Sequence, residues 1–98
     1  MKTPAVAPYN THVYAQYTIR VENRDAVQAK LKEQGIPTAV HYPVPLNLQP
    51  AFASLGLPEG SFPLSDAAAK RVMSLPMDAF LDEATQDRIV AAVRACAA

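Results

Sequence analysis

The feature that most limits the fold of this chain is a proline-rich stretch near its middle. Three of the residues 43–50 are proline, at positions 43, 45 and 50. Because proline lacks an amide proton and fixes φ, this stretch can form neither a regular helix nor a central strand. Its other positions carry large side chains, and His41 and Tyr42 lead into it. We therefore expect a stiff, apolar loop that forms a structured surface rather than a spacer.

Composition narrows the class of protein further. The 98 residues suffice for one small domain, and nine basic residues balance nine acidic ones. This balance argues against a nucleic-acid partner and against a basic helix on a membrane surface. No apolar run reaches the roughly 18 residues of a membrane span, and the proline-rich start is too short for a signal peptide. We expect a cytoplasmic protein.

Hydrophobic periodicity predicts a strand, a helix and a second strand before the proline-rich loop. Residues 1–12 show no periodicity and are predicted to be an extended lead-in. Residues 13–21 place five apolar positions on one face, as in a half-buried strand. Asn23 is predicted to cap a helix over residues 24–34, which Gly35 ends. A second strand is expected over residues 36–41.

Residues 49–76 are predicted to hold two helices and a short strand. Residues 49–55 are expected to form a short helix with Pro50 in its first turn. A longer helix, capped by Ser65 or Asp66, is predicted over residues 66–73, with Ala69 and Val72 directed inward. A short edge strand ending at Pro76 follows it.

The last helix completes the predicted architecture. Asp82 is predicted to cap a helix over residues 83–96, whose apolar stripe has helical spacing and consists of Ile89, Val90, Val93 and Cys96. We therefore predict a small α+β domain, in which a sheet of two or three strands is covered on one face by three or four helices.

Most chemically reactive side chains occur in patterns that structure alone explains. His12 and His41 are the only histidines, and no acidic residue stands at ligand spacing from either, so no metal site is predicted. The single cysteine, Cys96, is expected to be either packed or a thiol at a frayed helix end, and not a nucleophile. Asp82 and Asp87 are typical of helix starts. With only three glycines, the chain has no glycine-rich phosphate loop.

His41 and Tyr42 form the one pair that stands out. If the preceding strand continues through them, period-2 alternation puts their side chains on opposite faces. A histidine satisfied by the backbone and a tyrosine packed on the loop prolines would explain the pair without a function. From the residues alone this structural interpretation is favoured, as is sheet packing for Tyr14 and Tyr17.

The order of several motifs resembles one known family. Tyr14-Ala15-Gln16-Tyr17, the helix end Leu31–Ile36, His41-Tyr42-Pro43-Val44-Pro45-Leu46, Gln49-Pro50-Ala51-Phe52 and Met73-Ser74-Leu75-Pro76-Met77 resemble the carboxy-terminal domain of DegT-type (DegT/DnrJ/StrS) sugar aminotransferases. The similarity covers about residues 9–96. The resemblance is greatest to the subgroup that acts on UDP-2-acetamido-3-keto-glucuronate in lipopolysaccharide O-antigen synthesis.

The resemblance implies an incomplete enzyme. Members of the family are fold-type-I homodimers that use pyridoxal phosphate (PLP) to move an amino group onto a nucleotide-linked keto sugar. Their large domain, which holds the cofactor lysine, is not present here. Residues 13–98 would then be the C-terminal small domain, with no catalytic residue, no cofactor-binding residue and no bound PLP, and the fragment would be inactive alone.

The resemblance also suggests a substrate site. The loop that matches residues 41–46 lines the substrate cleft in this family, so His41 and Tyr42 are predicted to contact the nucleotide-sugar. Both side chains can donate and accept hydrogen bonds. Many members carry a histidine where this chain has Asn47, so a second histidine contact is not carried over. The alternative is a stand-alone binding or dimerisation module that keeps the fold without catalysis.

Overall fold

A computed structural model describes residues 1–98. Two strands form an antiparallel sheet, with Tyr17 opposite Leu75 and Arg20 opposite Val72. The strands are β1 (Tyr17–Arg20) and β2 (Val72–Leu75), and the helices are α1 (Arg24–Glu33), α2 (Pro63–Arg71) and α3 (Glu83–Cys96), with 3-10 helices at Leu46–Leu48 and Pro50–Leu55. The predicted α+β class is confirmed.

The core lies between one face of the sheet and helices α1 and α3. Ile19 from β1 and Met73 from β2 are almost completely buried, and Leu31 of α1 is 0% exposed. They pack with the apolar residues Val21, Val27, Ile36, Ile89, Ala92 and Val93. The helices therefore cover one face of the sheet. None of them combines the length and the apolar character that crossing a membrane requires.

Isolated bridges extend the sheet on both sides. Lys2 exchanges two backbone hydrogen bonds with Arg20, at 2.8 and 2.9 Å, so part of residues 1–12 lies along β1. Beside β2, Ala39 exchanges two backbone hydrogen bonds with Ser74, at 3.1 and 2.7 Å. The predicted strand over residues 36–41 is wrong, because this single bridge replaces it. Prolines at positions 37 and 43 remove the donors that a longer ladder needs.

The first strand is shorter than the alternating pattern predicts. Val13 is 90% exposed, and Tyr14 has a φ of 47°, which is incompatible with extended backbone. The amide of Tyr14 donates to Nδ1 of His12 over 2.7 Å instead of joining the sheet. Period-2 alternation is thus realised only from Tyr17 onward.

Helix α1 has the predicted extent but not the predicted cap. Asn23 adopts left-handed backbone (φ 49°), and its side chain makes no hydrogen bond to the first turn of the helix. The predicted side-chain cap is therefore wrong. Its carbonyl oxygen instead accepts from the amides of Ala26 and Val27. At the other end Gly35 has φ 72°, and the amide of Ile36 donates to the carbonyl of Leu31. This is the left-handed glycine stop that the sequence predicts.

Helix α2 begins earlier than predicted and gives way to strand β2. Pro63 occupies its first turn, where proline is well tolerated. Neither predicted cap is used, because Phe62 stands at the cap position and Asp66 lies inside the helix. Oδ2 of Asp66 accepts from the amide of Gly60 over 2.7 Å. Val72, predicted to be directed inward from this helix, instead begins β2 and is half-buried.

Helix α3 confirms its predicted bounds and cap. Oδ1 of Asp82 accepts from the amide of Thr85 over 2.8 Å, and Oδ2 accepts from the Thr85 hydroxyl over 2.8 Å. Ile89 and Val93 of the predicted stripe are buried. Val90 is 37% exposed.

Candidate functional site

His41 lies beside the face of the sheet that α1 and α3 leave uncovered. The backbone bridge between Ala39 and Ser74 brings residues 39–41 against β2. Nδ1 of His41 is 3.5 Å from the hydroxyl of Ser74, which in turn shares a hydrogen bond of 2.9 Å with the hydroxyl of Thr18 on β1. Ser74 is buried, Thr18 is half-buried and His41 is exposed. One line of polar groups thus runs from the sheet to the surface.

Tyr42 lies next to His41 rather than across the sheet from it. Its side chain is 70% exposed, and the two rings meet edge to face with centroids 5.5 Å apart. The peptide bond between the two residues is cis. The prediction of opposite faces is wrong, because it required a continuing strand and the pairing with β2 ends at Ala39.

An open cleft of about 280 Å³ lies beside His41. Its polar lining comes from Gln16, Thr38, His41 and Ser74, and its apolar lining includes Leu75 and Met77. The amide, hydroxyl and imidazole groups can each donate or accept hydrogen bonds. Such a mixture suits a polyhydroxylated ligand better than an apolar one.

The proline-rich loop continues into an ordered but unburied surface. None of residues 41–65 is buried. Nδ2 of Asn47 donates to the carbonyl of Leu57 over 3.1 Å and so ties the first 3-10 helix to the turn after the second. Between these turns lies an apolar hollow of about 340 Å³, lined by Leu46, Phe52, Leu55, Leu57 and Phe62. The short helix predicted over residues 49–55 is therefore a 3-10 helix within this surface.

Sequence reasoning missed two features near the site. The buried hydroxyl of Ser74 was indicated only by a serine within the apolar stretch of β2. The rings of Tyr14 and Tyr17 were assigned to sheet packing, but they are neighbours with centroids 5.5 Å apart, and the His12 ring lies 4.4 Å from Tyr14. Both tyrosines border a second, mostly apolar groove of about 370 Å³ against α3. The spacing of the two tyrosines was its only signal.

Most of the ionisable side chains are dispersed over the surface. No three His, Cys, Asp or Glu side chains meet as a metal site would require. The four lysines, at positions 2, 30, 32 and 70, are all exposed. A hydrogen bond to Glu59 and the charge of that carboxylate raise the pKa of Lys70 above its ordinary value. An imine-forming lysine needs the opposite, a desolvated amine with a lowered pKa.

Comparison with known proteins assigns the chain to a class. A model of the DegT/DnrJ/EryC1/StrS aminotransferase family matches residues 1–94. The chain belongs to this family. Its members are PLP-dependent aminotransferases.

Individual relatives and structures agree with this assignment. The chain is 53% identical over 91 residues to UDP-2-acetamido-2-deoxy-3-oxo-D-glucuronate aminotransferase of Pseudomonas aeruginosa, covering 93% of this chain and 24% of that protein. It is 41% identical over 91 residues to dTDP-3-amino-3,4,6-trideoxy-alpha-D-glucose transaminase of Streptomyces venezuelae, covering 93% and 24%. The chain thus spans about a quarter of the length of the curated relatives that it matches.

The fold itself matches solved aminotransferases. Against the crystal structure of S. venezuelae DesV the TM-score is 0.92, with 40% identity, covering 98% of this chain and 26% of that one. Against a DegT DnrJ EryC1 StrS aminotransferase from Brucella abortus the TM-score is 0.88, with 38% identity and the same coverage. The predicted family and the predicted aminotransferase fold are both confirmed.

Proposed function

We propose that this chain is the substrate-cleft domain of a nucleotide-sugar aminotransferase and that His41 and Tyr42 hold the sugar nucleotide. The observation that carries the proposal is the exposed His41–Tyr42 pair beside a polar cleft, in a chain that belongs to this family. Residues 13–98 would be the small domain of the parent enzyme, and residues 1–12 the lead-in to it. The parent would act as a homodimer in the cytoplasm.

The proposed reaction exchanges an amine for a carbonyl oxygen. An amino donor is oxidised to a keto acid while the ketone carbon of the sugar is reduced to an amine. When bound, PLP supplies the electron sink that makes this exchange feasible. The exposed lysines of this chain do not fit that group. We therefore place the cofactor in the remainder of the parent and give no catalytic step to this chain.

The two side chains suit the proposed ligand. An imidazole and a phenol each donate and accept hydrogen bonds, as sugar hydroxyls and phosphate or carboxylate oxygens require. The two rings are in edge-to-face contact, so both side chains occupy one place on the surface. Prolines at positions 43 and 45 restrict the backbone that follows His41 and Tyr42. They thereby reduce the conformational entropy that is lost when this loop is ordered.

A relative at 53% identity supports a UDP-linked keto sugar acid as the substrate, whereas the dTDP-linked sugars belong to relatives of lower identity. The Pseudomonas relative acts, by its name, on a UDP-linked 3-oxo-glucuronate, and another from Acidithiobacillus ferrooxidans on UDP-N-acetyl-3-dehydro-glucosamine. We propose the former substrate class, and with it a role in lipopolysaccharide O-antigen synthesis.

A second candidate function rests on a different observation. Residues 41–65 expose many apolar side chains, which is typical of a surface that another protein covers. A stand-alone binding or dimerisation module would use this surface without any sugar ligand. The two functions are distinguished by whether the chain supports amino transfer when the missing part of the enzyme is supplied.

A chimaera provides the test of the proposed function. The segment of the Pseudomonas relative that matches this chain would be replaced by this chain, and amino transfer to the UDP-linked keto sugar would be measured. We expect an active chimaera. His41→Ala or Tyr42→Phe should raise the KM for the keto sugar by about 10- to 150-fold, because each removes a hydrogen bond to a polar or charged ligand group.

Matched controls use the other exposed histidine and an exposed tyrosine. His12→Ala and Tyr9→Phe should leave the KM for the keto sugar unchanged. The half-reaction with the amino donor alone, followed by stopped-flow absorbance, should also be unchanged in the His41 and Tyr42 variants. A large loss in that half-reaction, with sugar affinity intact, would show that the two residues serve the cofactor instead.

The cofactor assignment has its own test on the isolated chain. Because all four lysines are exposed, PLP followed by borohydride should label them weakly and without saturation. Mass spectrometry of digested protein gives the extent of labelling at each lysine. A saturable adduct with one lysine per chain would contradict the assignment.

A further inference from the structure

The buried hydroxyl of Ser74 links two neighbours that belong to different parts of the chain. Its side chain lies between Thr18 on β1, at 2.9 Å, and Nδ1 of His41, at 3.5 Å. Backbone pairing holds Ser74 from both sides, to Thr18 through the sheet and to Ala39 through the bridge. Ser74 is 6% exposed, so water has little access to satisfy this hydroxyl in place of its neighbours.

A hydroxyl has one proton, so Ser74 can donate a hydrogen bond to His41 or to Thr18 but not to both. If Ser74 donates to His41 Nδ1, it accepts from Thr18, and the neutral ring carries its proton on Nε2. If Ser74 donates to Thr18, it accepts from the Nδ1–H of His41, and Nε2 is then a free acceptor. Thr18 is half-buried and can complete its own bonding with water in either case. In both arrangements Nδ1 of His41 is held towards the sheet and Nε2 is left for a ligand.

We propose that Ser74 and Thr18 are positioning residues for His41, forming a reversible hydroxyl relay that fixes the ring orientation and lets Nε2 act as donor or acceptor. The relay rests on the proposed function only for the identity of the ligand, a nucleotide-linked sugar. It explains why a polar residue occupies the centre of the otherwise apolar strand β2. It also assigns a role to Thr18, which is linked to His41 only through Ser74.

The relay is tested on the chain without ligand by ¹⁵N NMR of the histidine rings at about pH 8.5, where imidazole is neutral. Ring ¹⁵N shifts report which nitrogen carries the proton. Thr18→Val removes the acceptor for the Ser74 proton, so His41 should move towards the Nε2–H form. Ser74→Ala removes the link entirely, so the His41 shifts should approach those of a free imidazole.

Two controls accompany these variants. His12 serves as an internal reference, because its Nδ1 accepts from the amide of Tyr14 and its shifts should stay constant in every variant. Thr38→Val alters another threonine in the same cleft, whose hydroxyl bonds to Gln28 rather than to His41. It should leave the His41 shifts unchanged. Unchanged His41 shifts in Ser74→Ala, in a variant whose amide spectrum shows the native fold, would overturn the relay.

The chimaera separates failure of the relay from failure of the proposed function. Ser74→Ala should raise the KM for the keto sugar about 3- to 10-fold with little change in kcat, a smaller effect than that of His41→Ala. If His41→Ala raises the KM but Ser74→Ala changes neither the KM nor the ring shifts, the relay is wrong and the site stands. If Ser74→Ala changes the ring shifts but His41→Ala leaves the KM unchanged, the relay exists and the sugar site is wrong.

Discussion

Two regions of this molecule both carry large apolar side chains, which are buried in one and exposed in the other. In the first, the helix-covered face of the sheet, Ile19, Leu31 and Met73 are excluded from solvent. In the second, residues 41–65, no residue is buried, although Leu46, Leu55 and Leu64 are as apolar as anything in the core. The difference lies in periodicity. In the first region, strands and helices align apolar side chains on faces that pack together. Residues 41–62 run through prolines and short 3-10 turns with no such shared face, and Leu64 lies on the exposed side of the first turn of α2.

The comparison shows that apolar composition alone does not place a residue inside. Residues 41–65 keep their shape through local hydrogen bonds, such as that of Asn47 to the carbonyl of Leu57, and through the restricted backbone of their prolines. A surface of this kind is ordered without contributing to the core. Such a surface is typical of a face that a partner or a further domain covers.

The largest expected effect contrasts one leucine from each region. Leu31→Ala should lower the free energy of unfolding by about 2–5 kcal/mol, because it opens a cavity at a fully buried site. Leu64 is 87% exposed, so Leu64→Ala should change it by no more than about 0.5 kcal/mol. Urea denaturation followed by circular dichroism measures both.

A milder core variant guards against complete unfolding of Leu31→Ala. Ile36→Val should cost about 0.5–1.5 kcal/mol. Equal costs for Leu31→Ala and Leu64→Ala would mean that the two regions do not differ as described.

The second prediction concerns what the exposed region does in solution. We expect the chain to self-associate through residues 41–65. Leu46→Ser combined with Phe52→Ser should weaken self-association roughly tenfold, because it removes about 1–2 kcal/mol of apolar transfer free energy. Sedimentation velocity across a concentration series provides the measurement.

Val13→Ser is the control for the second prediction. Val13 is even more exposed than Leu46 and Phe52 but lies outside the region, so its replacement should leave the association constant unchanged. A wild-type chain that stays monomeric at high concentration would contradict the expectation.

The smallest expected effect concerns the N-terminal cap of helix α3, in the helix-covered region. Asp82→Ala should lower the Tm by about 5 °C, because it removes the cap of α3. Hydrogen bonds from Thr85 lower the pKa of Asp82 below its ordinary value of 3.8. A lowered pKa in the folded state means that this stabilisation is present above pH 3.8 and is lost as the pH falls through the folded value. The Tm difference should therefore be full at neutral pH and shrink below about pH 4.

Asp82→Asn tests the electrostatic part of this cap. An amide oxygen still accepts from the Thr85 amide but does not titrate, so this variant should lose less stability at neutral pH. Its deficit relative to the wild type should disappear in acid. A Tm difference for Asp82→Ala that stays constant down to pH 2 would show that the charge of Asp82 contributes nothing.

Elements with complete local signals were predicted well. The cap at Asp82, the helical stripe with Ile89 and Val93, and the glycine stop after α1 all lie within a few residues of the structure they specify. The predictions that were wrong concern the local backbone of Asn23, which is left-handed, and a strand whose pairing depends on a distant partner. Asn23 uses its backbone rather than its side chain, and the strand predicted over residues 36–41 is reduced to the bridge at Ala39.

In the candidate site, the identity of the residues was predictable from the sequence but their orientation was not. Its two contact residues, His41 and Tyr42, were selected from sequence because they precede a proline-rich loop and match a family motif. Their relative orientation was not predictable, because it depends on where pairing with β2 stops. Whether the pair contacts a sugar nucleotide stays a prediction.

The sequence by itself determined the α+β class, the positions of helices α1 and α3, the stiff loop and the family. Caps, periodicity and prolines act over a few residues, so no folded context is needed to interpret them. Only the tertiary structure decided that the hydroxyls of Thr18 and Ser74, 56 residues apart in the chain, would meet and that His41 would stand beside them. Antiparallel pairing brings such distant residues together, and its register depends on the packing of the whole core rather than on any local signal.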